Sequence, residues 1–255
     1  MKKILALVLV LAMISCMFVA CENDPAVSAI KKADEALQKT PYAMTMKMDF
    51  SSSNPDIDKA LSVMCVEVPT VVDGKNMSME LNMNVEGIAV KADVVVYDMI
   101  MYYNMSMMGQ KMLFKCKMND KQFEQFNQSS NTQMPIDVDS FAKFTMEEKD
   151  GKQIITSAEV TKKGLDELNK IANDAIASMG ASASYDEITY NVVLKDGKYE
   201  SVAMDAKYSV TVAGQTFDFS LSISAEYTYG DFDPVVKPEN ADAYTEMDYE
   251  DLMGG

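Results

Sequence analysis

The chain has 255 residues, of which 39 are Asp or Glu and 23 are cationic, giving a formal net charge of −16 at pH 7. Every cation is Lys, and His, Arg and Trp are absent, which excludes imidazole-dependent catalysis, imidazole-ligated zinc or haem, and guanidinium clamps on phosphate. The acidic balance also excludes nucleic acid, whose phosphates need a basic stripe, while 48% apolar residues and 23 Met leave ample material for a core.

Lys2 and Lys3 precede an apolar run from Ile4 to Ala20. It is too short for a typical membrane span and has the charge-then-apolar order of a secretory signal. The run closes on Phe18-Val19-Ala20-Cys21, followed by polar Glu22-Asn23-Asp24. This resembles the bacterial lipobox, in which a Cys is lipidated and becomes the mature N-terminus, with Phe18 standing where Leu, Val or Ile is usual. Cys16 is a rival acceptor, but the residues after it are still apolar, which favours Cys21. Residues 1–20 are then a signal peptide and 21–25 a lipidated tether. A palmitate-type anchor would hold the protein to the extracytoplasmic face of a bacterial membrane, each buried CH₂ contributing about 0.8 kcal/mol. Only Cys65 and Cys116 remain beside the lipidated Cys. Two thiols cannot close a zinc site unaided, so no metal or cofactor is expected. In an oxidising compartment they could pair as a disulfide or stay as two buried thiols on neighbouring strands.

Val27, Ile30, Ala33, Ala36 and Leu37 recur at spacings of three and four, which predicts an amphipathic helix over 26–39, ended by Thr40-Pro41. From Tyr42 the period changes to two. Met44, Met46 and Met48 alternate with polar residues, as do Met77, Met79, Leu81, Met83 and Val85. Strands are expected near 88–97, 99–107 and 111–118, forming an antiparallel meander. A short helix from Asn119 turns Phe123 and Phe126 inward, and Asp150-Gly151 marks a hairpin because it supplies the positive φ of a two-residue turn. A second amphipathic helix is expected from Thr161 to Gly180, followed by strands at 188–194, 199–212 and 216–229. In the last of these, Phe217, Phe219, Leu221 and Ile223 alternate with Thr216, Asp218, Ser220 and Ser222. The predicted fold is α+β: one domain over 26–230, a strongly curved antiparallel half-barrel of about ten strands with helices covering its concave face. Residues 231–255 carry eight acidic groups and one Lys and are expected to be a loosely held acidic extension.

Fourteen Met residues lie between Met44 and Met118. Met is flexible and polarizable, so such a surface adapts to apolar partners, although any single Met serves equally as core filler. The candidate lining of a cavity is Met46, Met79, Met83, Met101, Met105, Phe219 and Ile223. No enzyme activity is expected. Ser28/Lys31 and Ser140/Lys143 fit an S-x-x-K spacing but lack its companion motifs, and the acidic tail lacks the ligand alternation of a calcium loop.

The lipobox, the helix segment Ala33-Asp34-Glu35-Ala36-Leu37, Tyr42 with its Met-rich strand, and a closing Pro234-Val235-Val236-Lys237-Pro238-Glu239-Asn240-Ala241 together resemble the LolA/LppX-like superfamily of extracytoplasmic lipoproteins. The resemblance implies a half-barrel closed by helices over an acyl-chain cavity, and carriage of lipids or lipoproteins. The chaperone branch uses a cavity Arg that this chain lacks, so the implied partner is a lipid or other hydrophobic ligand, with the membrane as anchor. A structural lipoprotein with a self-filled core and a protein partner is the alternative.

Overall fold

The computed structural model describes residues 24–61, 66–85, 88–107, 109–123, 126, 141–177 and 180–253. The signal peptide, Cys21 and Cys65 lie outside them. The elements are α1 (Pro25–Lys39), β1 (Tyr42–Ser52), α2 (Pro55–Leu61), β2 (Val66–Asp73), β3 (Asn76–Val85), β4 (Ile88–Tyr97), β5 (Ile100–Met107), β6 (Gln110–Lys117), β7 (Phe141–Lys149), β8 (Lys152–Val160), α3 (Lys162–Ile176), β9 (Ala181–Lys195), β10 (Lys198–Val212), β11 (Gln215–Thr228), β12 (Thr245–Glu246) and α4 (Tyr249–Met253). The strands form one open, largely antiparallel sheet in the order β12-β6-β5-β4-β3-β2-β1-β11-β10-β9-β8-β7. The α+β class and the extended antiparallel sheet thus agree with the sequence pattern. No helix among the described residues is long and apolar enough to cross a membrane.

The chain divides into two compact units. The first comprises residues 1–36, 48–64 and 134–224. Its α1 buries Ala26, Val27, Ile30 and Ala33, the stripe expected from the spacing. Asp24 starts that helix by accepting from the Ala26 amide at 2.8 Å. On the sheet, Val192, Leu194, Val202, Met204, Tyr208, Phe219, Leu221 and Ile223 are buried while their strand neighbours face solvent. Tyr208 stacks on Phe219 at 5.4 Å and approaches Tyr185 at 5.1 Å. Residues Asp150 and Asp196 take φ 53° ahead of Gly151 and Gly197, the left-handed pair that tight hairpins require.

Two features of this unit were not legible from periodicity. Asn54 accepts from the amides of Asp56 and Ile57 at 3.0 and 3.2 Å, nucleating the seven-residue α2. Strand β9 begins at Ala181, well before the expected Ile188, because all of it pairs with β10 out to Val212↔Ala181. On its other side, α3 stands in for a strand. Asn173 accepts from the Ala183 amide at 3.0 Å and donates to the Ala183 carbonyl at 2.8 Å. Asn169 accepts from the Tyr185 amide at 2.7 Å. Thr161 caps α3 by accepting from the Gly164 amide at 3.0 Å, so the helix is fixed at its start and along one face.

Asp34 of α1 accepts from the Tyr199 hydroxyl at 2.6 Å. Burial raises its carboxyl above the ordinary 3.8, against the lowering effect of that hydrogen bond. The native state therefore holds this proton more tightly than the unfolded chain does. Stability falls as pH rises from about 3.8 through the native pKa and is level above it. Asp34→Asn still accepts from Tyr199, and it is expected to remove this slope and raise the urea midpoint at neutral pH. A variant with a lower midpoint at pH 7 would contradict the assignment.

The second unit comprises residues 37–47, 65–133 and 225–255. It holds the predicted meander, β3 to β6, with β2 added at its side, and its pleat places different cores on the two faces. Met77, Val94, Val96, Met101, Cys116, Met118 and Phe126 form one. Tyr102, Ala241 and Tyr244 form the other, with Val95, Tyr97, Ile100 and Leu113. The second core corrects the expectation of a loose acidic tail. Tyr244 meets Tyr102 edge-on at 5.3 Å, Lys115 donates to the Ala241 carbonyl at 3.2 Å, and β12 runs parallel to β6 with Thr245 beside Phe114. Burial of Ala241 and Tyr244 outweighs the cost of ordering an acidic segment, which charge count alone does not reveal.

Candidate functional site

Direct cross-strand partners share a face of a sheet, so the register of β3 to β6 assembles the Met-rich face into rows. The first is Met77–Val96–Met101–Cys116, the second Met79–Val94–Tyr103–Phe114 and the third Leu81–Ala92–Met105–Met112. A fourth, by backbone register alone, is Met83–Val90–Met107–Gln110. Strand β2 adds Val72 to the first row, Thr70 to the second and Val66 to the fourth.

The rows differ in closure. The first is sealed: Met77 is 5%, Val96 0%, Met101 2% and Cys116 1% exposed. Met118 and Phe126 are buried in the same cluster, and Phe123 and Tyr249 pack against it. In the second and third rows Val94 and Ala92 are buried at the sheet, but Met79, Tyr103, Phe114, Leu81, Met105 and Met112 are only half-buried. The Tyr103 hydroxyl donates to the Met105 sulfur at 3.5 Å, and burial raises its pKa. The Thr70 hydroxyl in the second row is buried and has no hydrogen-bond partner.

The seven candidate lining residues therefore have different surroundings. Met79 and Met105 lie in the half-open rows, and Met101 in the sealed one. Met83 shares their strand face by register. Met46 is buried on β1 in the second unit. Phe219 and Ile223 are buried on β11 in the first unit, Phe219 against Tyr208. Tyr103, Leu81 and Met112 join the half-open surface without having been singled out. The cross-strand register finds them, and composition does not supply that register.

Cys116 is a free thiol, pushed up to about 11 by burial and then by the charge of Glu250. The disulfide held open as one alternative is thus not formed at Cys116.

Among the described residues no group of three His, Cys, Asp or Glu is placed to hold a metal. Of the S-x-x-K pairs, Ser28 is exposed on α1, and Ser140 lies outside the described residues. Two clefts open in the first unit instead. One of about 610 Å³ lies around the Asp150-Gly151 and Asp196-Gly197 turns, with Lys149, Lys152, Gln153 and Leu194. The other, of about 280 Å³, is formed by Pro25, Ser28, Ala29 and Lys32 with Gln153 and Gly197. Neither contains a methionine.

No protein-family model and no curated protein matches the sequence. Among solved structures, the chain is similar to the one titled "Crystal structure of ywiB protein from Bacillus subtilis", at 10% identity. That match covers 75% of this chain and 93% of the other at a TM-score of 0.22, a likeness too low to bear on fold or function.

Proposed function

We propose that the chain is a lipid-anchored, extracytoplasmic, non-enzymatic lipoprotein that binds a lipid or other hydrophobic ligand on the Met-rich face of β3 to β6. The observation that carries this reading is the gradient along that face, closed by aromatic side chains at the first row and half-open over the next two. In this reading the long sheet curls into a half-barrel, as twisted sheets of many strands do. About ten acyl methylenes moved from water to that face would gain about 8 kcal/mol, and the affinity is what remains of this gain after the costs of association and ordering. Flexible Met side chains would favour tolerance over selectivity.

Three measurements test it. Labelled palmitate is expected to enter the protein after Cys16→Ala but not after Cys21→Ala. Native mass spectrometry of the acyl-free protein, purified without detergent, is expected to show bound lipid, and a fluorescent fatty acid to be taken up. Met105→Lys places an ammonium in the half-open row and is expected to reduce uptake by about tenfold or more. Absence of both lipid and uptake overturns the binding reading. It would leave the second reading, a self-filled interaction lipoprotein, which the sealed first row favours.

A further inference from the structure

We propose that the end of the first unit built from the β7–β8 and β9–β10 turns and the start of α1 lies on the bilayer, where a row of lysines binds anionic lipid headgroups. This deepens the lipoprotein reading and rests on it. The register aligns Lys149 with Lys152, Lys152 with Lys195, and Lys195 with Lys198. Four lysines thus occupy aligned positions across four adjacent strands in a chain of net charge −16. Like charges directly opposite one another destabilise a sheet. Glu200 answers Lys152 at 2.6 Å, and Glu148, Asp150 and Asp196 line the neighbouring cleft. The two Asp residues occupy positions that the turns require, so their presence there has a conformational reason. The turns make no such demand on the lysines.

The length of the tether makes this the membrane-proximal end. Pro25, Ser28, Ala29 and Lys32 share the smaller cleft with Gln153 and Gly197, so the start of α1 adjoins the two turns. Cys21 precedes Asp24 by three residues, which span about 11 Å at most. An acyl group on Cys21 therefore holds the turns close to the headgroups. The rest of the acidic molecule is repelled by an anionic surface within a Debye length of about 8 Å. Each lysine held near such a surface strengthens the contact about fivefold, which selects the orientation that brings the row down.

Because the chain has no Trp, single Trp reporters can test this in the full lipidated protein in vesicles containing brominated lipids. Emission from Glu148→Trp is expected to be quenched several-fold more than emission from Gln215→Trp, beyond the opposite end of β10 in the same unit. The difference is expected to shrink when Lys149→Gln and Lys195→Gln are added, or when phosphatidylglycerol is replaced by phosphatidylcholine, and to persist when Lys207→Gln is added instead. Equal quenching at the two reporters overturns the orientation, and quenching indifferent to lipid charge overturns headgroup recognition. Relief by inorganic phosphate in the absence of a matched effect from sodium chloride would reassign the row to free phosphate. If Cys21 carries no lipid and the protein does not join vesicles, the lipoprotein reading itself fails, a result distinct from equal quenching in a vesicle-bound protein.

Discussion

Asn173→Ala is expected to destabilise the first unit by about 2–4 kcal/mol. The carboxamide is paired with both backbone groups of Ala183 and also donates to the Asn169 carbonyl at 2.6 Å. Ala183 is buried, so truncation leaves its amide and carbonyl without partners where water has poor access. Asn169→Ala removes the single bond to the Tyr185 amide and should cost about 1–2 kcal/mol. Urea unfolding should show lower midpoints with unchanged slopes. Hydrogen exchange should localise the loss to the Ala183 amide in the first variant and the Tyr185 amide in the second. Asn173→Gln adds a methylene that displaces the amide from this double contact and should not restore stability. A midpoint unchanged in Asn173→Ala would mean that β10 alone holds the first half of β9.

The second large effect separates core from ligand surface on the Met-rich face. Met101→Ala opens a void in the sealed row and should cost about 2–5 kcal/mol. Its effect on fatty-acid uptake should be small under conditions where the protein remains folded. Met105→Ala lies four residues further along the same strand, in a half-open row. It should cost about 1 kcal/mol or less, because much of its side chain is already in water, while weakening uptake measurably. Stability measured by denaturation and affinity measured by fluorescence therefore change in opposite order in the two variants. If Met105→Ala destabilised as strongly as Met101→Ala and left uptake intact, the second and third rows would be core, and the filled-interior reading would replace the ligand-binding one.

The parts of this molecule that the sequence displays are those set by local chemistry. The alternation from Gln215 to Thr228 and the Asp-Gly turns at 150 and 196 lead directly to the observed strands, because pleat and turn conformation are decided within a few residues. Strand β2 is harder to see: Pro69 interrupts it, and the β2–β3 ladder skips the positions between Glu67 and Thr70. The early half of β9, Ala181-Ser182-Ala183-Ser184, has weak strand preference. It is extended because β10 on one side and Asn169 and Asn173 on the other hold it. The Met-rich face was legible as a face. Its division into sealed and half-open rows was not, since Phe126 and Tyr249, which close the first row, come from distant parts of the chain.

The docked C-terminal segment also bears on solubility. With residues 231–255 removed, β6 would end the sheet and present unpaired amides and carbonyls along one side, a template for pairing with a second copy. Strand β12 occupies part of that side, and the Met247 amide donates to the Lys115 carbonyl at 2.9 Å. The acidic residues that follow discourage another strand from approaching. The opposite margin is guarded differently: β7 carries register irregularities around Lys143 and the exposed charges Glu147, Glu148 and Lys149. An unclosed sheet of this width can thus remain monodisperse, and the acidic tail acts as an edge guard against aggregation.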